Sequence, residues 1–136
     1  MGNLNATPTM LRTEPHRPTK LAVRRSPLHG WGVFATAKIA AYELLEEAPY
    51  FLTPLKELRK APSCETYSYY LDNQTSIIGL GLAGLYNHSS DPNCSHEIDQ
   101  VNNLMRHYAL RPIAPGEELT IDYGTDNAAA FLKGGH

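Results

Sequence analysis

Apolar and polar residues alternate over short stretches of the chain, and glycine or proline separates the stretches. Lys20 to Arg25 alternates apolar and basic residues, as a short strand would. Gly30-Trp31-Gly32 then punctuates the chain, and Val33-Phe34-Ala35 resumes a strand. Glu43 to Phe51 mixes acidic and apolar residues and fits strand or loop. Pro54 to Pro62 has room for one helical turn, with Leu55 and Leu58 on one side. Tyr67 to Leu71 is aromatic-rich and strand-like, and Ser76 to Leu80, Arg106 to Leu110 and Glu118 to Tyr123 predict three more strands. Pro115-Gly116 marks a tight turn before the last of these, and Ala128 to Lys133 fits one helical turn. Many short strands between Gly and Pro predict a mainly β fold. Residues 1–18 carry three prolines and no period, which predicts a flexible N-terminal tail.

Length and charge narrow the function. A chain of 136 residues makes one domain with a modest core. The net charge of −2 gives no basic footprint for nucleic acid. No apolar run approaches the roughly 20 residues of a membrane span, and the N-terminus lacks the apolar core of a secretory signal. Cys64 and Cys94 are expected to be free thiols in a reducing, intracellular compartment.

Three segments carry candidate chemistry. Taken alone, Gly30-Trp31-Gly32 marks a turn or bulge. Asn87-His88-Ser89-Ser90-Asp91-Pro92-Asn93 reads as a polar turn. Glu118-Leu119-Thr120-Ile121-Asp122-Tyr123 reads as an amphipathic strand. In this order and spacing, however, the three resemble the G-x-G, N-H-S-x-x-P-N and E-E-L-x-x-D-Y segments of SET-domain lysine methyltransferases. The resemblance covers about residues 19–126 and leaves 127–136 as a C-terminal tail. It implies a mainly β, β-clip fold of several small sheets, in which the last two segments cross as a pseudoknot.

The resemblance also implies chemistry. S-adenosylmethionine would be the cofactor, and a protein or peptide lysine, such as one on a histone tail, the methyl acceptor. Gly30, Trp31 and Gly32 would lie against the cofactor, with the glycines permitting close approach. Asn87 and the His88 backbone would bond its adenine and amino-acid ends. Tyr123 would be the catalytic tyrosine and would also touch the cofactor. Tyr67, in Tyr67-Ser68-Tyr69-Tyr70-Leu71-Asp72, resembles the family's Y-x-F-x-x-D strand and would line the lysine channel, with Tyr69 and Tyr70 read as core or interface residues. Ile121, two before Tyr123, would help set how many methyl groups fit; lacking a hydroxyl, it predicts more than one.

Other readings remain beside this one. Glu43, Glu46 and Glu47 form either a surface for a basic peptide or a solvated face. His88, His96 and His107 would suit zinc if they converged, but their spacing matches no metal motif, so no metal is expected. Thr125 to His136 has no cysteine and so lacks the zinc-binding segment that closes the channel in many relatives. The chain then resembles the minimal form known from viruses and bacteria, with a second subunit or the tail as the missing wall; a homodimer is expected. The compartment would be a bacterial cytoplasm or a eukaryotic nucleus. The competing function is a catalytically weak cofactor-binding or peptide-binding module.

Overall fold

The structure, a computed structural model, describes residues 13–124. The elements in order are β1 (Leu21–Arg25), β2 (Trp31–Ala35), β3 (Leu44–Pro54), α1 (Leu55–Leu58), α2 (Pro62–Glu65), β4 (Tyr69–Tyr70), β5 (Thr75–Gly79), β6 (Asn87–His88), β7 (Cys94–Asp99), β8 (Leu104–Ala109) and β9 (Glu118–Ile121). The fold is mainly β, as the punctuated alternation predicts. The turn expected at 128–133, and the tail residues 1–12 and 127–136, lie outside the described residues.

Two sheets form among the described residues. One has the order β1-β2-β9-β6, the other β4-β5-β3-β8-β7. In the first, β9 lies antiparallel to β2 and parallel to β6, so the C-terminal strand is inserted between two earlier segments. That insertion brings the Asn87 and Tyr123 segments together, with Asn87 beside Thr120 and His88 beside Ile121.

The eleven-residue β3 is the spine of the second sheet. Its first half pairs with β8 and its second half with β5, with a register irregularity between Leu44 and Glu46. A strand so enclosed is buried on both faces over Leu45–Ala48. Glu46 and Glu47 are therefore not a solvated or peptide-facing surface: they are 2% and 3% exposed. Both have partners. Arg106 Nε donates to Glu47 at 3.0 Å, and Glu46 accepts from Leu82 and Tyr86. Glu43 instead pairs with Lys20 at 2.8 Å.

The remaining differences are local. Leu55 and Leu58 are both buried on α1, as expected. The 67–71 strand shrinks to Tyr69–Tyr70, because Tyr67 and Ser68 close the turn after α2 through N–H bonds to Cys64 O and Glu65 O. The His16 backbone is tied to Glu47 twice: its N–H donates to the side-chain Oε1 at 2.8 Å, and its carbonyl accepts from the Glu47 N–H at 3.1 Å.

Candidate functional site

Where β2, β6 and the chain after β9 meet, a cleft opens to solvent. Trp31, Tyr67, Asn87 and Tyr123 all line it. So do His29, Thr66 and the Gly84-Leu85 turn, for which the sequence suggested no role. A concave site lined by aromatic side chains with a few polar groups suits small molecules. Three aromatic side chains also suit a cationic ligand, whose charge is attracted to ring faces.

Trp31 and Gly32 fall inside β2, and Gly30 precedes it with φ +45 and open space where a side chain would be. The Arg25 guanidinium stands 4.2 Å over the Trp31 ring, which is 49% exposed. Gly32 is needed for a different reason than open space. A β-carbon there would run into the Glu118 carboxylate and stand 3.0 Å from Asn87 Nδ2.

Asn87 is buried, and its amide nitrogen faces protein. Nδ2 is placed to donate to Glu118 Oε2 at 2.8 Å, His29 O at 3.1 Å and Trp31 O at 3.3 Å. An amide has two hydrogens, so these three acceptors compete or share. Glu118 also accepts from the Ser26 hydroxyl at 2.8 Å and 2.9 Å. Glu118 thus has a role that the motif reading, which includes it, does not assign. It holds the 26–32 loop against β6.

Tyr123 follows β9 and is half-buried. Its hydroxyl donates to Tyr86 O at 2.7 Å, and its N–H donates to His88 Nδ1 at 3.1 Å. Burial, then the neighbouring Tyr67 and Glu118, push the phenol up to about 12. It therefore stays protonated near neutrality, where it is a hydrogen-bond donor and not a base.

His88 lies on the edge strand β6, its ring 5.1 Å from that of Tyr123. Ser89 N–H bonds Ile121 O, so the His88 backbone groups point away from β9, toward the open edge. Ile121 does not line the cleft; it is 1% exposed and packs with Tyr86 and Leu119 in the core.

The three histidines considered for zinc do not gather. His96 and His107 have ring centroids 5.8 Å apart, whereas His88 rests on Tyr123. No group of three or more His, Cys, Asp or Glu is placed to hold a metal ion among the described residues. Nor is any described helix long and apolar enough to cross a membrane.

Residues 30–124 match the family model described as SET domain. Over 123 residues the chain is 35% identical to the H3 lysine-4 specific histone-lysine N-methyltransferase of Eremothecium gossypii, covering 82% of this chain and 12% of that protein. It is 32% identical over 115 residues to the H3 lysine-37 specific enzyme of Schizosaccharomyces pombe, covering 77% of this chain and 78% of the relative. The chain thus spans only about a tenth of the lysine-4 specific relatives, 12% of one and 10% of the Saccharomyces cerevisiae protein. A crystal structure of a candidate histone methyltransferase from Plasmodium falciparum superposes with a TM-score of 0.66 at 32% identity, covering 79% of this chain and 96% of that one.

Proposed function

The chain belongs to the SET-domain family, and on that premise we propose that it transfers a methyl group from S-adenosylmethionine to the side-chain amine of a protein lysine. The observation that carries this reading is Tyr123: a protonated hydroxyl held on a carbonyl oxygen at a cleft shared with Trp31, Tyr67 and Asn87.

The donor set fits the cofactor. Asn87 directs its nitrogen into the protein, and no protein donor meets its Oδ1 among the described residues. That oxygen suits an ammonium group such as the one at the amino-acid end of S-adenosylmethionine. The outward backbone of His88 suits the edge of a purine, and Trp31 offers an apolar face. Bound there, the cofactor supplies an electrophilic methyl group.

The protein's own part is placement and electrostatics. A lysine stem entering beside Tyr67 and Tyr123 meets aromatic walls that suit an aliphatic chain with a cationic tip. Its ammonium must lose a proton before the nitrogen can attack. Desolvation and the nearby positive charge favour that loss. Tyr123 stays protonated and does not take the proton, which leaves through water. Rate then comes chiefly from alignment.

Histone-lysine specificity in the relatives' names, with the family match, supports a histone tail as acceptor. A chromatin substrate implies the nucleus of a eukaryotic host; a bacterial cytoplasm would demand another lysine protein. We propose a homodimer whose second subunit walls the lysine channel; the other candidate wall, residues 125–136, lies outside the described residues. Light scattering showing a monomer, with full activity after deletion of that tail, would remove both options.

The test is a labelled-methyl screen with mixed histones and host lysate as acceptors, followed by mapping of the modified residue. Label on a lysine side chain is the expected result. Cofactor binding without transfer to any protein would instead indicate a catalytically weak binding module.

A further inference from the structure

A carboxyl group that methyl transfer does not call on lies behind the cleft. Glu46, on β3, is 2% exposed. Its oxygens take different partners: Oε2 accepts from the Leu82 N–H at 2.8 Å, and Oε1 accepts from the Tyr86 hydroxyl at 3.1 Å. Leu82 and Tyr86 open and close the turn that carries Gly84 and Leu85 into the cleft. Inside that turn Leu85 N–H donates to Leu82 O at 2.9 Å. One carboxylate therefore bridges both ends of a five-residue segment.

The surroundings are built for it. Gly81 has φ +63, and a β-carbon there would come within 2.6 Å of Glu46 Oε2. The Tyr86 ring lies flat on His107, at 4.3 Å and 4°. Tyr69 donates its hydroxyl to Ala83 O, a third hold on the same turn. On the cleft side, the Tyr86 carbonyl oxygen accepts the Tyr123 hydroxyl at 2.7 Å.

Burying a carboxyl here is costly, and an apolar side chain of similar volume would pack without that cost. What Glu46 provides is a pair of acceptors at a fixed separation. We propose that Glu46 is a positioning residue for methyl transfer: by fixing both ends of the 82–86 turn it sets where the Tyr86 carbonyl stands, and so where the Tyr123 hydroxyl stands. This rests on the assignment of Tyr123 as the catalytic hydroxyl.

Glu46→Leu, Glu46→Gln and Tyr86→Phe test it in the full chain, each alone and combined with Tyr123→Phe. The readouts are melting temperature, affinity for S-adenosylhomocysteine, kcat with mixed histones, and the ¹³Cζ resonance of labelled Tyr123. Glu46→Leu should lower kcat about tenfold or more, as misplacement of a reacting group does, while changing cofactor affinity less. Glu46→Gln should recover most of the rate. Its amide oxygen still accepts from Leu82, and its NH₂ can donate to the Tyr86 oxygen. In the Tyr123→Phe background Glu46→Leu should cost nothing further.

A folded Glu46→Leu protein with wild-type kcat overturns the proposal, as does a loss that persists in full without the Tyr123 hydroxyl. If Glu46→Leu does not fold, Tyr86→Phe carries the same test, since it keeps the stacked ring and removes one hold. A wild-type kcat there overturns the proposal equally. The Tyr123 resonance needs no acceptor: it should move in Glu46→Leu and Tyr86→Phe, and an unmoved signal rejects the positioning role. If Tyr123→Phe alone turns over at the wild-type rate, the functional reading fails, whatever Glu46 does.

Discussion

The side-chain amide of Asn87 donates to the carboxylate of Glu118 at 2.8 Å, across 31 residues of sequence. The same amide is placed against the carbonyls of His29 and Trp31, and the same carboxylate accepts from Ser26. Two polar side chains thus tie together all three motif segments. The cleft exists because β9 is inserted between β2 and β6, which sets these groups face to face.

Glu118→Ala should therefore weaken cofactor binding although Glu118 does not itself line the cleft. It removes the acceptor of both Ser26 and Asn87, which should cost roughly 1.5–3 kcal/mol of stability. Gly32→Ala should act in the same direction, because its β-carbon displaces that carboxylate. Calorimetry with S-adenosylhomocysteine on the folded variants checks this. Wild-type affinity in both would show that the 26–32 loop holds its shape without the clamp.

Asn87→Ala should reduce cofactor affinity by roughly 1–3 kcal/mol, the scale of a lost buried hydrogen bond. The proposed contact is Oδ1, since Nδ2 faces protein. Asn87→Asp keeps an oxygen but brings a second carboxylate against Glu118, so it should be the less stable of the two. Melting curves beside the calorimetry separate the two effects.

Alternation makes most of the strands legible, and three motifs point to the segments that meet at the candidate site, but what joins them is not legible. β7 is not legible because Cys94-Ser95-His96-Glu97-Ile98-Asp99 has no clean alternation and follows a run of turn formers. α2 is hidden because Pro62 reads as a boundary, although it sits at the start of the helical turn. Glu46 and Glu47 look like surface charges when Leu82, 36 residues on, and Arg106, 59 residues on, cannot be seen. Glu118 reads as one polar position of a strand, yet its partner Ser26 is 92 residues away. Such pairings depend on the strand order, which no local pattern encodes.

Acid should destabilise the protein through His107. Tyr69 donates its hydroxyl to Ala83 O, so His107 Nε2 must carry the hydrogen toward Tyr69, at 3.2 Å. That leaves Nδ1 as a bare, buried nitrogen without a partner among the described residues. Burial, then the neighbouring His96, lower the His107 pKa to about 3. The unfolded chain, with an ordinary histidine, binds more protons below about pH 6.5. Stability should be full above that pH and fall by roughly 1 kcal/mol per unit toward pH 3. His107→Phe should flatten the slope in denaturant titrations across this range. His96, whose pKa burial also lowers, keeps it from vanishing.

The reaction should proceed past monomethyl-lysine. Ile121 packs in the core behind the cleft and carries no hydroxyl, so no water is anchored from that side and a methylated nitrogen has room to turn and attack again. Mass spectrometry of histone product at long times with cofactor in excess checks it. A reaction that stops at one methyl would place the water-holding role on another wall, with Tyr67 the first residue to examine.

The most direct test of the whole account is the turnover of Tyr123→Phe. The ring still packs against His88, and only the hydroxyl that meets Tyr86 O is lost. Cofactor affinity and melting temperature should stay near wild type while kcat for methyl transfer to histones falls by at least about tenfold, the mark of an interaction made in the transition state. A folded Tyr123→Phe protein that methylates as fast as the wild type would contradict the assignment of this cleft as the methyl-transfer site.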